Sequence, residues 1–237
     1  MEISDRIIYG TMRMLSVKRT LSKWTYIFDE LFEKGVRSFH ISKEYDSYDL
    51  FLGVLKKSNF NKKKINIYAK CFSPNFNEKF YDEKKLNILL NSYLKDLSLD
   101  RINIQWMWRA DLNSDMSRCK SFHQKIPEID YSLGKIKKKS VNEIYCFPYS
   151  INFAKLVIKI KNINGLSVYF NPIEKSYKKF LGNKNIGIRP LYGGKLTSKY
   201  TFSELINFSL NEKKITKIVL SINKVKNLKH FYNFLNA

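Results

Sequence analysis

Along the 237 residues, a short apolar run followed by apolar residues at helical spacing recurs with little interruption. This alternation constrains the fold more than any other feature of the chain. The runs Ile7–Tyr9, Phe39–Ile41, Ile67–Ala69, Ile102–Met107, Ile144–Phe147, Leu166–Phe170, Ile186–Ile188 and Ile218–Leu220 read as strands. Between them, sets such as Trp24, Ile27, Phe28, Leu31 and Phe32, or Leu86, Leu89, Leu90, Tyr93, Leu94 and Leu97, form the apolar stripes of amphipathic helices. Gly35 is a candidate helix stop. The region after Trp108 is the least regular: Pro127 interrupts it, and a basic helix is predicted from Ile129 to Lys139. Strand–helix alternation without a break in composition predicts one parallel α/β domain over residues 1–237. Eight such units favour a closed (β/α)8 TIM barrel over an open sheet. At ~250 residues for a typical barrel, the loops must be lean.

Composition narrows the class. Hydrophobic residues make up 44% of the chain, enough for a sizeable core and too many for a disordered one. Lys and Arg total 43 against 21 Asp and Glu, a net charge of +22. Such a charge suits an anionic partner: nucleic acid, a membrane surface or a phosphorylated ligand. The lysines run through the whole length, however, so a diffuse solvated charge accounts for them as well. Cys71, Cys119 and Cys146 lie far apart, without metal-ligand spacing, and their odd number argues against a disulfide framework. A reduced, cytoplasmic protein is the expectation. The residues Met1–Arg6 lack a signal-peptide pattern, and no apolar run is long enough to span a bilayer.

The chemistry-bearing residues gather where the second strand ends. Side chains at the carboxyl ends of barrel strands, ahead of the crossover helix, are where α/β folds place their sites. There the chain reads His40-Ile41-Ser42-Lys43-Glu44-Tyr45, and His40, Glu44 and Tyr45 are each able to move a proton when their environment shifts them. The third strand run leads to Lys70, and Arg109 and Arg189 follow other strands: they read either as surface charges or, with Lys70, as a basic barrel mouth suited to phosphates. Trp106 and Met107 read as core. His123 and His230, in polar helix-like sequence, read as structural or exposed.

Several strand ends together resemble one family. Gly10-Thr11-Met12-Arg13, Phe39 through Gly53, Ala69-Lys70, Leu97 through Trp108, Phe170-Asn171 and Arg189-Pro190-Leu191-Tyr192-Gly193-Gly194-Lys195-Leu196 fall in the order of the aldo-keto reductase motifs. The chain is similar to that family of NADP-dependent barrel oxidoreductases over nearly its full length. The resemblance implies a small-molecule carbonyl substrate and an NADP(H) cofactor. It implies cofactor contacts from Gly10, Thr11, Met12, Asn171, Arg189, Leu191, Gly193, Gly194 and Lys195, with Asn223 and Lys224 near the adenosine 2′-phosphate. Of the family's catalytic Asp, Tyr, Lys and His, the resemblance implies that Tyr45 and Lys70 are kept. His40 stands at the Asp position and Trp108 at the His position. The family glycine after the tyrosine is Asp46, and the Ser-Asn pair that grips the nicotinamide amide falls near Pro148-Tyr149.

These departures bear on the chemistry. Carbonyl reduction needs a hydride donor, a proton donor and stabilisation of the developing oxyanion. A phenol titrates near pH ~10, and a nearby ammonium lowers that value, so Lys70 is expected to activate Tyr45. His40 cannot supply the negative charge that would aim Lys70, which is then free to tilt toward Glu44, Asp46 or solvent. Next to Lys70, the His40 imidazole is expected to titrate low. Trp108 offers one indole N–H or simply fills the pocket. Three readings stand at this point: an NADPH-dependent carbonyl reductase with an altered site, a barrel that keeps the fold but is inactive or repurposed, and a basic nucleic-acid-associated protein.

Overall fold

The computed structural model describes residues 2–71, 82–108, 116–223 and 225–236. Within them, eight parallel strands close into a barrel in sequence order: β1 (Ile7–Gly10), β2 (Ser38–Ile41), β3 (Asn66–Cys71), β4 (Ile102–Trp108), β5 (Val141–Pro148), β6 (Gly165–Tyr169), β7 (Asn185–Ile188) and β8 (Ile215–Leu220). β8 returns to β1 with Ile7 opposite Ile218 and Tyr9 opposite Leu220, which removes both sheet edges. Among the described residues, seven α-helices cover the outside: α1 (Leu21–Glu33), α2 (Tyr48–Lys57), α3 (Glu83–Leu97), α4 (Met116–Lys139), α5 (Ile151–Val157), α6 (Phe202–Leu210) and α7 (Val225–Leu235). After β6 the crossover holds only a 3-10 turn, Lys178–Phe180, which keeps the chain short.

All eight predicted strands are present, most of them a residue or more longer than their apolar runs. Alternation explains the difference. Outward residues such as Ile102, Ile104 and Trp106 pack under the helices and are apolar, while inward residues such as Asn103 and Gln105 are polar and blur the pattern. α1 ends at Gly35 as expected: Gly35 N–H donates to Phe32 O and Val36 N–H to Leu31 O, closing the last turn.

α4 differs from expectation, because it runs unbroken through Pro127. A proline inside a helix removes one backbone bond and costs ~3 kcal/mol. Phe122, Ile129, Leu133 and Ile136 stay buried on both sides of it, and burying each such side chain contributes ~1.5–3 kcal/mol. The continuous apolar stripe outweighs the break.

Two layers fill the barrel interior. Ile8, Tyr68, Tyr145 and Ile186, one from each odd-numbered strand, form a buried cluster apart from the main core. The even strands β2, β4 and β6 contribute His40, Gln105 and Ser167, which are polar and joined to one another.

Candidate active site

The loop after β2 folds on itself. Tyr45 N–H donates to Ser42 O at 3.1 Å, Glu44 N–H to Ser42 Oγ at 3.2 Å, and Tyr48 N–H to Tyr45 O at 2.8 Å. Ser47 Oγ anchors the loop to Thr11 O at 2.9 Å. Thr11 in turn donates both N–H and Oγ1–H to His40 O, each at 3.1 Å. The ends of β1 and β2 are thereby tied, and Tyr45 is held over the mouth.

His40, Tyr45 and Lys70 come together there. Tyr45 Oη lies 3.4 Å from His40 Nδ1, and His40 Nε2 lies 2.6 Å from Gln105 Oε1. Lys70 Nζ stands over the Tyr45 ring, 5.3 Å from its centroid, and 3.6 Å from Glu44 Oε2. Of the partners open to it, the ammonium thus takes Glu44. Burial lowers His40 to about 4 against the opposing bond from Gln105, and the Lys70 charge adds a smaller lowering. The direction matches the sequence expectation, but burial rather than like charge is its main cause.

Tyr45 corrects the sequence reading. Its phenol is raised well above its ordinary value of 10.0, chiefly by burial, with Tyr93, Glu44 and Tyr149 adding to it. Lys70 faces the ring and Glu44 rather than acting as an activator of the hydroxyl, so the expected lowering is reversed.

On the opposite rim, Gly193 and Gly194 hold φ of 68° and 89° and are exposed, with open space where a side chain would stand. The turn engages its own donors: Gly194 N–H bonds Leu191 O at 2.8 Å. It therefore presents room and the exposed Lys195 ammonium to an anion, not the cradle of free N–H groups that two glycines suggest. Arg189 also has a left-handed backbone, φ 57°. Its carbonyl accepts from Tyr192 N–H and Asn171 Nδ2, and its guanidinium lies between the Tyr169 and Tyr192 rings while pairing with Glu174 at 3.2 Å.

Asn171 is fully buried, and its amide is occupied. Nδ2 donates to Glu174 Oε2 and Arg189 O, and Oδ1 accepts from the N–H groups of Ile173 and Glu174. It shapes the turn after β6. At Gly10 a Cβ would sit 2.4 Å from Ser221 Oγ, so a side chain there would require that hydroxyl to turn away. Met12 is 60% exposed on the rim. Asn223 Nδ2 donates to Arg13 O at 3.3 Å, which joins the end of β8 to the loop after β1. Trp108 ends β4 opposite Pro148, while its side chain, together with Arg109 and Lys224, lies outside the described residues. His123 and His230 are exposed.

Three contributors escape a reading of the sequence. Tyr93, visible there only as part of an apolar stripe, accepts from Lys43 N–H at 2.7 Å and donates to Lys70 O at 3.0 Å, so one phenol ties the Tyr45 loop to β3. Gln105 accepts from His40, and its Nε2 donates to Ser167 Oγ at 2.8 Å. The signal for Gln105 is a polar residue at alternate positions of a strand buried on both faces.

No family model matches the chain, and no curated protein matches it in sequence. Solved structures do match. Aldo-keto reductase AKR11C1 from Bacillus halodurans, in its holo form, superimposes with a TM-score of 0.75 at 14% identity, over 98% of this chain and 87% of that one. The chain has the aldo-keto reductase fold. The thermostable aldo-keto reductase Tm1743, in complex with the inhibitor epalrestat, gives a TM-score of 0.70 at 11% identity over 98% and 90% of the two chains. In the aldo-keto reductase fold of this chain, the motif positions lie at the carboxyl ends of the strands, around one mouth. Among the described residues, no helix is long and apolar enough to cross a membrane.

Proposed function

We propose that the chain is an NADP(H)-dependent reductase of a small carbonyl compound, working in the cytoplasm with an altered acid–base set. The observation that carries the reading is the meeting of Tyr45, His40 and Lys70 at one mouth of an aldo-keto-reductase barrel. The residues present fit the phosphate part of a dinucleotide by room at Gly193 and Gly194 and by charge at Lys195. By the resemblance, Asn223 and Lys224 would meet an adenosine phosphate, and the exposed Met12 would cover the cofactor's edge. When bound, the dinucleotide supplies the hydride.

The chain's own residues handle the proton and the charge. Tyr45 donates to the carbonyl oxygen, His40 exchanges the proton with Tyr45, and Lys70 supplies positive charge near the developing oxyanion. Buried, unpaired Cys71 and Cys146 thiols suit a reducing compartment.

Two observations favour a second reading. The Glu44 carboxylate beside Lys70 and the raised Tyr45 phenol both oppose proton donation, as in a barrel repurposed for binding. Single-turnover oxidation of NADPH with a panel of aldehydes and ketones separates the two. Reductase action predicts a burst of cofactor oxidation with at least one carbonyl and its loss in Tyr45→Phe. NADPH binding with no oxidation across the panel would leave the repurposed barrel.

A further inference from the structure

The His40–Gln105–Ser167 line runs from the mouth into the barrel core, where such barrels ordinarily pack branched apolar side chains. His40, Gln105 and Ser167 are all buried, 8%, 5% and 1% exposed, so water does not compete for their bonds. The donors and acceptors fall in one order. Gln105 Nε2 donates to Ser167 Oγ, which directs the amide oxygen toward His40. An amide oxygen only accepts, so His40 Nε2 must carry a hydrogen. In a neutral imidazole the other nitrogen is then a bare acceptor, so in its 3.4 Å contact with Tyr45 Oη the phenol is the donor.

We propose that Gln105 and Ser167 are positioning residues: they hold His40 as its Nε2–H form and so make Nδ1 the acceptor of the Tyr45 proton. This rests on the reading above, in which Tyr45 handles the substrate's proton. It deepens that reading by fixing the direction in which the resting site works. With its hydrogen turned to His40, the Tyr45 oxygen faces the mouth as an acceptor, so the resting site recognises a substrate hydroxyl rather than a carbonyl. As that hydroxyl loses its proton to Tyr45 Oη and its carbon gives up a hydride, which an oxidised nicotinamide dinucleotide would accept, the phenol's own proton passes to His40 Nδ1, and the positive charge ends on the imidazolium. Carbonyl reduction is the reverse and requires His40 to be charged first.

The groups acting on that charge are Lys70 from β3, which opposes it, Gln105 from β4, which favours it, and burial, which opposes it most. Reductive turnover is therefore expected to rise as the pH falls toward 4, and oxidation of the matching alcohol to be favoured near neutrality.

Nitrogen-15 NMR of the ligand-free protein tests the assignment without any cofactor. The chain has three histidines, and the His40 signals are those absent from His40→Gln. At pH 7 the proposal predicts one form, with Nδ1 unprotonated and Nε2 protonated. Gln105→Leu should mix the two tautomers, and Ser167→Ala should do so in part. Gln105→Glu, nearly the same shape, should keep the tautomer and raise the His40 titration by at least one pH unit, through the added negative charge. A protonated Nδ1 in the wild type, or a Gln105→Leu spectrum unchanged from it, overturns the proposal. Should Gln105→Leu fail to fold, a His40 titration unmoved in Gln105→Glu overturns it equally. Absence of NADPH binding would sink the reductase reading and leave these spectra to decide the tautomer by themselves.

Discussion

His40 links the site to the stability of the whole chain. Its value of about 4 in the folded protein lies below the ordinary 6.5, so the unfolded chain binds the proton more readily. The sign follows: the stability held by the neutral ring is complete above pH 6.5 and is lost as the pH falls through 4. At ~1.4 kcal/mol per pH unit, the gap amounts to ~3 kcal/mol. Denaturant unfolding at pH 7 and pH 4 should show the wild type losing up to ~3 kcal/mol more than His40→Gln. Equal losses would mean that His40 is not held neutral by burial. Replacing His40 by the family carboxylate, His40→Asp, should draw Lys70 from Glu44 and, by removing the imidazolium that recharges Tyr45, abolish the rise of single-turnover carbonyl reduction at low pH. A low-pH rise kept in His40→Asp would mean that His40 does not supply that proton.

Two elements carry predictions of their own. Tyr93 on α3 ties the β2 loop to the end of β3 through one hydroxyl. Tyr93→Phe keeps the ring and leaves the Lys43 N–H without that acceptor, so it should cost ~1–2 kcal/mol in urea unfolding. It should also speed amide exchange over Ser42–Ser47, whereas exchange at the wild-type rate would show that the loop holds itself. In α4, Pro127→Ala restores a backbone donor within an already straight apolar stripe. It should stabilise the protein by ~1–3 kcal/mol and raise the melting temperature.

How far these elements were legible depends on the range of the interactions that make them. The strands and most helices follow from local period, because each outward strand face and inward helix stripe is apolar. At Pro127 the local rule for proline predicts a break, whereas packing against distant residues holds α4 through it. Tyr45 and Lys70 could be proposed as neighbours because both stand at strand ends of one barrel. Lys70 over the ring, the raised phenol and the amide-locked Asn171 depend on side-chain direction, which spacing does not encode. Gln105 meets His40, and Ser167 meets Gln105, across the barrel from strands that are not neighbours in the sheet, a closeness that only closure creates.

At the scale of the molecule, the charge of +22 is distributed over both ends of the barrel. Exposed Lys62, Lys63 and Lys64 precede β3, Lys138 and Lys139 precede β5, and Lys213 and Lys214 precede β8, all at the end away from the mouth. Lys195 stands at the mouth on an open glycine turn, where a phosphate has room to approach. The central claim is that this mouth binds a nicotinamide dinucleotide phosphate, and calorimetric titration of NADPH into the wild type and Lys195→Ala tests it most directly. The account predicts saturable binding to one site per chain, weakened about tenfold, or ~1.4 kcal/mol, in Lys195→Ala. No saturable binding to the wild type, or equal affinity in both proteins, would contradict it.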